Sequence, residues 1–217
     1  VGDPYNRPSR ANRNKNYVTG LTKTKTAILL MLVPESFTGL DRLLAAVYKY
    51  KGDADVYASL DLEYRPNLPR WVSSIIPSSP PPYGIVRPTK YAIRYLTDYD
   101  WVLRLTWDAE LLHSIDFDRD EHTVYGPMVG NGGFIAENIH RFLMLMGSRS
   151  PAKEAYEYIN GHCILAPRHW WTNIFCELPP EIIHYYDDSV SFVFGLEMGY
   201  KFKNILLAHH QHNGFRN

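Results

Sequence analysis

Apolar positions along this chain alternate between unbroken runs of strand length and spacings of three and four. The run from Thr26 to Val33 predicts a buried strand. Leu40, Leu43, Leu44 and Val47 then recur at helical spacing up to Lys51-Gly52, and Asp55-Val56-Tyr57-Ala58-Ser59-Leu60 reads as the next strand, ending in Asp61 and Glu63. Strand, helix and strand in that order imply a parallel crossover unit. Pro77-Ser78-Ser79-Pro80-Pro81-Pro82 cannot be regular helix or central strand, and the α/β pattern resumes directly after it, so it reads as a surface loop. Ala92, Ile93 and Leu96 predict a second helix, and Trp101-Val102-Leu103 with Leu105 a second buried strand.

Further along, Ile139, Phe142 and Leu143 mark a helix, and another is expected near 152–159. Asp187-Asp188 opens an apolar helix, and Lys201 to Ala208 reads as a final strand running into His209-His210-Gln211-His212. No internal repeat or heptad pattern is present. Residues 1–22 alternate Arg, Asn and Lys with little periodicity and predict a solvated polar arm, leaving 23–217 as one domain. The expected fold class is α/β, with a central, mostly parallel mixed sheet flanked by helices.

Composition narrows the function. The 217 residues suffice for one substantial domain, and 23 basic against 23 acidic residues give no global field for nucleic acid or an anionic membrane. No apolar run is long enough for a membrane-spanning helix. Cys163 and Cys176 are too few for a disulfide framework and lack metal-ligand spacing, so they read as buried or bystander thiols. With no secretory signal visible, a reducing, cytoplasmic home is expected. The chain begins without Met and stops just past a His cluster, which raises the expectation of further domains in a longer parent chain.

The candidate chemistry begins at Asp108 and Glu110, directly beyond the Trp101–Leu105 run. Acidic side chains there sit at the carboxyl edge of the sheet, where open α/β sheets hold ligands, and can hold a divalent cation against a phosphate-bearing ligand. The plain alternative for Asp108 is a solvated strand-end acid. Asn131-Gly132-Gly133 lets backbone N–H groups approach a sugar or diphosphate. Asp187 and Asp188 offer a general base for an inverting sugar transfer, an acid that orients the acceptor in a retaining one, or a helix cap. Strand alternation puts His210 and His212 on one face and His209 on the other, as metal ligands or a surface cluster. His169-Trp170-Trp171 offers a stacking surface for a sugar, with core packing the stronger reading.

Taken in order over residues 24–213, these motifs resemble the nucleotide-sugar-dependent glycosyltransferases of the GT-A fold. The resemblance implies a nucleotide-contacting loop at Pro34 and Glu35, a contact to base or ribose at Asp61, and Arg94 on the helix before the acidic strand. It also implies Asp108 on the metal, Asn131 and Gly132 at the donor, an acid pair at Asp187 and Asp188, and a late His, His210 or His212, as a further metal ligand. The implied donor is a UDP-sugar and the implied cation Mn²⁺, with Mg²⁺ as the second choice, since carboxylate plus imidazole suits Mn²⁺ better. Within that family the chain is similar to the N-terminal domain of chlorella-virus enzymes that build capsid glycans. That likeness implies transfer of a hexose, rhamnose or glucose, to a glycan acceptor in the host cytoplasm.

The acidic motif departs from the family pattern. Thr106-Trp107-Asp108 places Thr where the first acid belongs, and Asp108-Ala109-Glu110 is the other alignment; Asp108 is common to both. The departure keeps open a non-catalytic domain that binds carbohydrate or nucleotide sugar on the same fold. A nucleotidyltransferase would show a glycine- and lysine-rich phosphate loop after the first strand, and Pro34-Glu35-Ser36-Phe37 is not one.

Overall fold

The computed structural model describes residues 24–32, 39–60, 66–75, 86–130, 136–148, 157–179, 182 and 187–210. In chain order the elements are β1 (Thr26–Leu32), α1 (Leu40–Tyr50), β2 (Asp55–Leu60), β3 (Val72–Ile75), α2 (Val86–Tyr95), β4 (Trp101–Thr106), β5 (Ala109–Leu111), β6 (Thr123–Gly126) and β7 (Met128–Gly130). They continue with α3 (Ala136–Leu145), β8 (Glu157–Ile159), β9 (Cys163–Pro167), α4 (Arg168–Trp170) running into a π-helical turn (Trp171–Phe175), α5 (Asp187–Glu197), β10 (Lys201–Asn204) and β11 (Ala208–His210).

Seven strands form one mixed sheet in the order β10-β6-β9-β4-β1-β2-β3. The β3-β2-β1-β4 half is parallel throughout, and β9 is inserted antiparallel between β4 and β6. Two short ribbons stand apart, β11 with β5 and β7 with β8. The fold is thus the α/β arrangement expected from the sequence, a mostly parallel central sheet flanked by helices.

β1 is buried along its whole length because each face carries its own core. Ala27, Leu29 and Met31 pack with Ile93, Trp171, Phe175 and Val190 on one side, while Ile28, Leu30 and Leu32 pack with Leu43, Val47, Leu103 and Leu105 on the other. Strand alternation therefore turns Arg104 of β4 toward the first face, against Trp171 and Phe175. Trp170 and Trp171 are core residues, 1% and 0% exposed, and the Trp171 indole N–H donates to the Val102 carbonyl at 3.1 Å. The Cys163 thiol is buried and pushed up to about 12 by that burial, so it is an inert core group. Glycine at Gly126 is required by close approach: a Cβ there would meet the Cys163 carbonyl oxygen and come 2.6 Å from Cγ2 of Ile159.

Two expected elements differ. Of the helix expected near 152–159, the described residues 157–159 are strand β8, paired antiparallel with β7 (Met128↔Ile159, Gly130↔Glu157), so sheet pairing overrides the local helical spacing there. The final strand expected from Lys201 to Ala208 is broken. β10 ends at Asn204 beside β6, the chain crosses over at Ile205–Leu207 with Leu207 1% exposed, and β11 pairs with β5 in a separate ribbon.

Candidate functional site

The parallel strands set one edge of the sheet. Registers Leu32↔Leu60 and Met31↔Thr106 bring the carboxyl ends of β1, β2 and β4 level, and beyond β4 the turn Trp107-Asp108 leads into β5. Asp108 is mostly buried, its side chain 13% exposed. Thr106 Oγ1 donates to Asp108 Oδ1 at 2.5 Å, and Nδ1 of His162 lies 3.1 Å from the same oxygen and 2.8 Å from Thr106 Oγ1. Thr106, which stands where the family pattern has an acid, is thus a hydrogen-bond donor to the acid that remains. A recess of about 10 Å³ beside Asp108 is lined by Gly39, Arg42, Trp107 and Glu110.

His162 arrives on the turn Asn160–Gly161–His162, which joins β8 to β9. The same turn reaches the N-terminus of α5: the Gly161 N–H donates to Asp188 Oδ2 at 3.0 Å, and the Ser189 N–H donates to Asp188 Oδ1 at 2.8 Å. Beneath it lies Arg104, 0% exposed, whose Nη2 donates to the Gly161 carbonyl at 2.8 Å and whose Nη1 pairs with Asp187 Oδ2 at 3.2 Å. The guanidinium carbon sits 4.8 Å from the ring centroid of Phe175 and 5.6 Å from that of Trp171. The two adjacent acids therefore differ. Asp187 is 1% exposed and locked to Arg104, whereas Asp188 keeps part of its surface open. Burial, and then the charge of Asp187, push the Asp188 carboxyl up to about 7, against the opposing pull of the two amides and of Arg104.

Asp108, Asp187 and Asp188 are therefore brought to one cluster, joined by two residues that sequence reasoning missed, Arg104 and His162. Arg94 is not brought to it. It is exposed in the last turn of α2, the end from which the chain enters β4, so it belongs to the opposite edge of the sheet from Asp108. His210 lies opposite Ala109 and His209 opposite Glu110 in the β11–β5 ribbon, one register position beyond Asp108; His209 is exposed. Pro34, Glu35, Asp61, Asn131, Gly132 and His212 lie outside the described residues, as does the polar arm 1–22. A second cleft, of about 550 Å³, opens at the far edge between Lys25, Asp55, Tyr99 and Arg119, away from the acid cluster.

At this end of the cluster Asp108 offers one carboxylate, with the Thr106 hydroxyl and the His162 imidazole hydrogen-bonded to it. Among the described residues no group of three or more His, Cys, Asp or Glu could hold a metal ion by itself. That arrangement fits a divalent cation of the kind bound by one or two protein carboxylates with substrate phosphates completing the sphere, rather than an all-protein cage. Among the described residues no helix is long and apolar enough to cross a membrane.

No protein-family model matches the chain, and no curated protein matches it. Among solved structures the chain is similar to GalNAc-T7 in its crystal structure with UDP, GalNAc and Mn²⁺, at a TM-score of 0.61 and 10% sequence identity. The superposition covers 85% of this chain and 43% of that one, so this chain spans less than half the length of its structural neighbour. The likeness establishes a GT-A-like fold.

Proposed function

We propose that this domain is a metal-dependent glycosyltransferase that takes its sugar from a nucleoside diphosphate donor. The observation that carries the reading is that adjacent residues of one turn, Gly161 and His162, bond Asp188 and Asp108, at the carboxyl edge of a GT-A-like sheet. Asp108 is the carboxylate for the cation, its Oδ1 held by Thr106 and His162. When bound, the cation neutralises the diphosphate as it departs. Glu110 lines the same recess and supports the site through water. His210 or His212 supplies a further ligand, as the family resemblance implies. As the family resemblance implies, Pro34, Glu35 and Asp61 are assigned to the nucleoside and Asn131 and Gly132 to the sugar or diphosphate of the donor.

Asp188 is the proton acceptor, because it is partly exposed, carries no ion pair of the kind that joins Asp187 to Arg104, and has an affinity for protons near neutrality. In the inverting step this supports, the acceptor hydroxyl gives its proton to Asp188 while its oxygen forms a bond to the anomeric carbon. The bond from that carbon to the diphosphate oxygen breaks, and its electron pair leaves with the nucleotide. Asp187 is a positioning residue, since its carboxylate is committed to Arg104. The finer identity rests on the sequence resemblance: a UDP-linked hexose, rhamnose or glucose, with Mn²⁺ as cation and a viral capsid glycan as acceptor.

A second reading, a non-catalytic nucleotide-sugar-binding domain, is favoured by one observation: Thr106 replaces the first acid of the motif and engages the second. Calorimetry with UDP and UDP-glucose, with and without Mn²⁺, followed by measurement of Mn²⁺-supported release of UDP from UDP-glucose, separates the two. Metal-dependent binding with turnover supports the transferase; metal-dependent binding without turnover supports the second reading; absence of nucleotide binding refutes the transferase and leaves a non-catalytic carbohydrate-binding domain.

A further inference from the structure

The turn Asn160–Gly161–His162 has a complete and unusual hydrogen-bond account. Its six backbone polar groups are all engaged. Asn160 N–H donates to the Pro127 carbonyl at 2.8 Å, and the Asn160 carbonyl accepts from Cys163 N–H at 3.1 Å. Gly161 N–H donates to Asp188, and the Gly161 carbonyl accepts from Arg104. His162 N–H donates to the Asn160 side-chain oxygen at 3.0 Å, and the His162 carbonyl accepts from Thr106 N–H at 3.0 Å. Four of the six bonds go to residues that carry or flank the two candidate acids or to the turn's own Asn160 side chain, so the turn is pinned from both sides.

Proton counting fixes the ring of His162. The single hydroxyl proton of Thr106 is given to Asp108 Oδ1, so Nδ1 of His162 must carry a proton to face both oxygens at 2.8 and 3.1 Å. The ring therefore holds Asp108 through Nδ1–H, in the manner of an outer residue orienting a metal-ligating carboxylate. On the other side, Gly161 is tightly flanked: a Cβ would come 3.0 Å from Nη2 of Arg104 and 3.2 Å from Oδ2 of Asp188, so these side chains must give by a few tenths of an ångström. Its φ lies outside the left-handed region, so alanine is acceptable to the backbone and the conflict is purely one of space.

We propose that Asn160–Gly161–His162 is a positioning bracket that fixes the carboxylates of Asp108 and Asp188 relative to one another, with His162 Nδ1 gripping the first and the Gly161 amide gripping the second. The bracket rests on the nucleotide-sugar reading above, which gives the two carboxylates their separate tasks, and it assigns a task to the turn that holds them. The two grips are separable. Disturbing Gly161 displaces Asp188 and acts on turnover, whereas removing the His162 ring releases Asp108 and acts on cation-dependent nucleotide affinity.

The test uses the whole chain with UDP and Mn²⁺ by calorimetry, and Mn²⁺-supported release of UDP from UDP-glucose for turnover. Gly161→Ala should keep UDP affinity within about twofold and lower kcat about tenfold, the effect of moving a reacting group by a fraction of an ångström. His162→Ala should lower Mn²⁺-dependent UDP affinity about tenfold, while His162→Asn, whose amide nitrogen takes the place of Nδ1, should restore it to within about threefold. Without any nucleotide, carbon-13 NMR of the Asp188 carboxyl should show its titration midpoint raised in Gly161→Ala, because the amide that favours the charged form has been pushed away. Failure of the wild-type chain to bind UDP with Mn²⁺ overturns the nucleotide-sugar reading, and the bracket's tasks with it. Should the wild type bind, the bracket alone is overturned by wild-type turnover in Gly161→Ala, by an unmoved Asp188 midpoint, or by equal losses in His162→Asn and His162→Ala.

Discussion

Arg104→Met is the most revealing single change in the core. The arginine is 0% exposed, sits between Trp171 and Phe175, and faces Asp187, itself 1% exposed, across 3.2 Å. Methionine fills much of the same volume without a charge, so the variant takes the guanidinium charge away from the buried Asp187 carboxylate and removes the donor to the Gly161 carbonyl. Removing one partner of a buried ion pair costs about 3–5 kcal/mol, and the orphaned carbonyl adds about 1 kcal/mol. That is a large share of the ~5–15 kcal/mol that holds a typical domain folded. The partner change decides the cause. Arg104→Met with Asp187→Leu replaces the pair by apolar groups among aromatic neighbours, an exchange that is often neutral, so the double variant should recover about 2 kcal/mol or more. Equilibrium urea unfolding followed by tryptophan fluorescence reads both, since Trp171 lies against the guanidinium. A single variant that loses less than about 1 kcal/mol, or a double variant no more stable than the single, refutes the assignment of Arg104 as the buried charge partner of Asp187.

Other consequences follow from the same cluster. The Asp188 carboxyl has a folded-state pKa raised from 3.8 to about 7, so between those values the native state binds the extra proton and stability should fall as pH rises; Asp188→Asn should flatten that slope, as thermal melts from pH 4 to pH 8 would show. At Gly126, a Cβ has no space between Cys163 and Ile159, so Gly126→Ala should cost about 1–3 kcal/mol in urea unfolding, and a neutral result would show that β6 can move away from β9. Mn²⁺ titrations of His210→Ala and His212→Ala, with His209→Ala as control, should show a loss of about tenfold for one of the first two and none for the control; three unchanged affinities would remove the late histidines from the site.

The parts of this fold written in local periodicity were legible in the sequence. β1, α1, β2, β4 and α5 each carry an apolar pattern that their burial explains. The parts set by distant pairing were not. β9 is five buried residues whose only distinguishing property is to lie antiparallel between β4 and β6, and β11 exists because the chain leaves the main sheet to pair with β5. The site divides in the same way. Asp108 is legible as the acid beyond a buried strand. Arg104 offered a signal, a charge inside the apolar run Trp101–Leu105, and a buried charge demands a partner; but that partner is 83 residues away. His162 carried a weaker signal, an Asn-Gly-His turn directly before an apolar run. Arg94 shows the opposite failure: its place before the acidic strand in sequence puts it at the other edge of the sheet, since the helix that carries it ends where β4 begins.

The central claim, a cation held at Asp108 against a nucleoside diphosphate, is tested most directly by an anomalous-difference map from crystals grown with UDP and Mn²⁺. The account predicts one strong peak within coordination distance of both the Asp108 carboxylate and the diphosphate, lost in Asp108→Ala crystals. A peak away from Asp108, or bound UDP with no peak beside it, would contradict it.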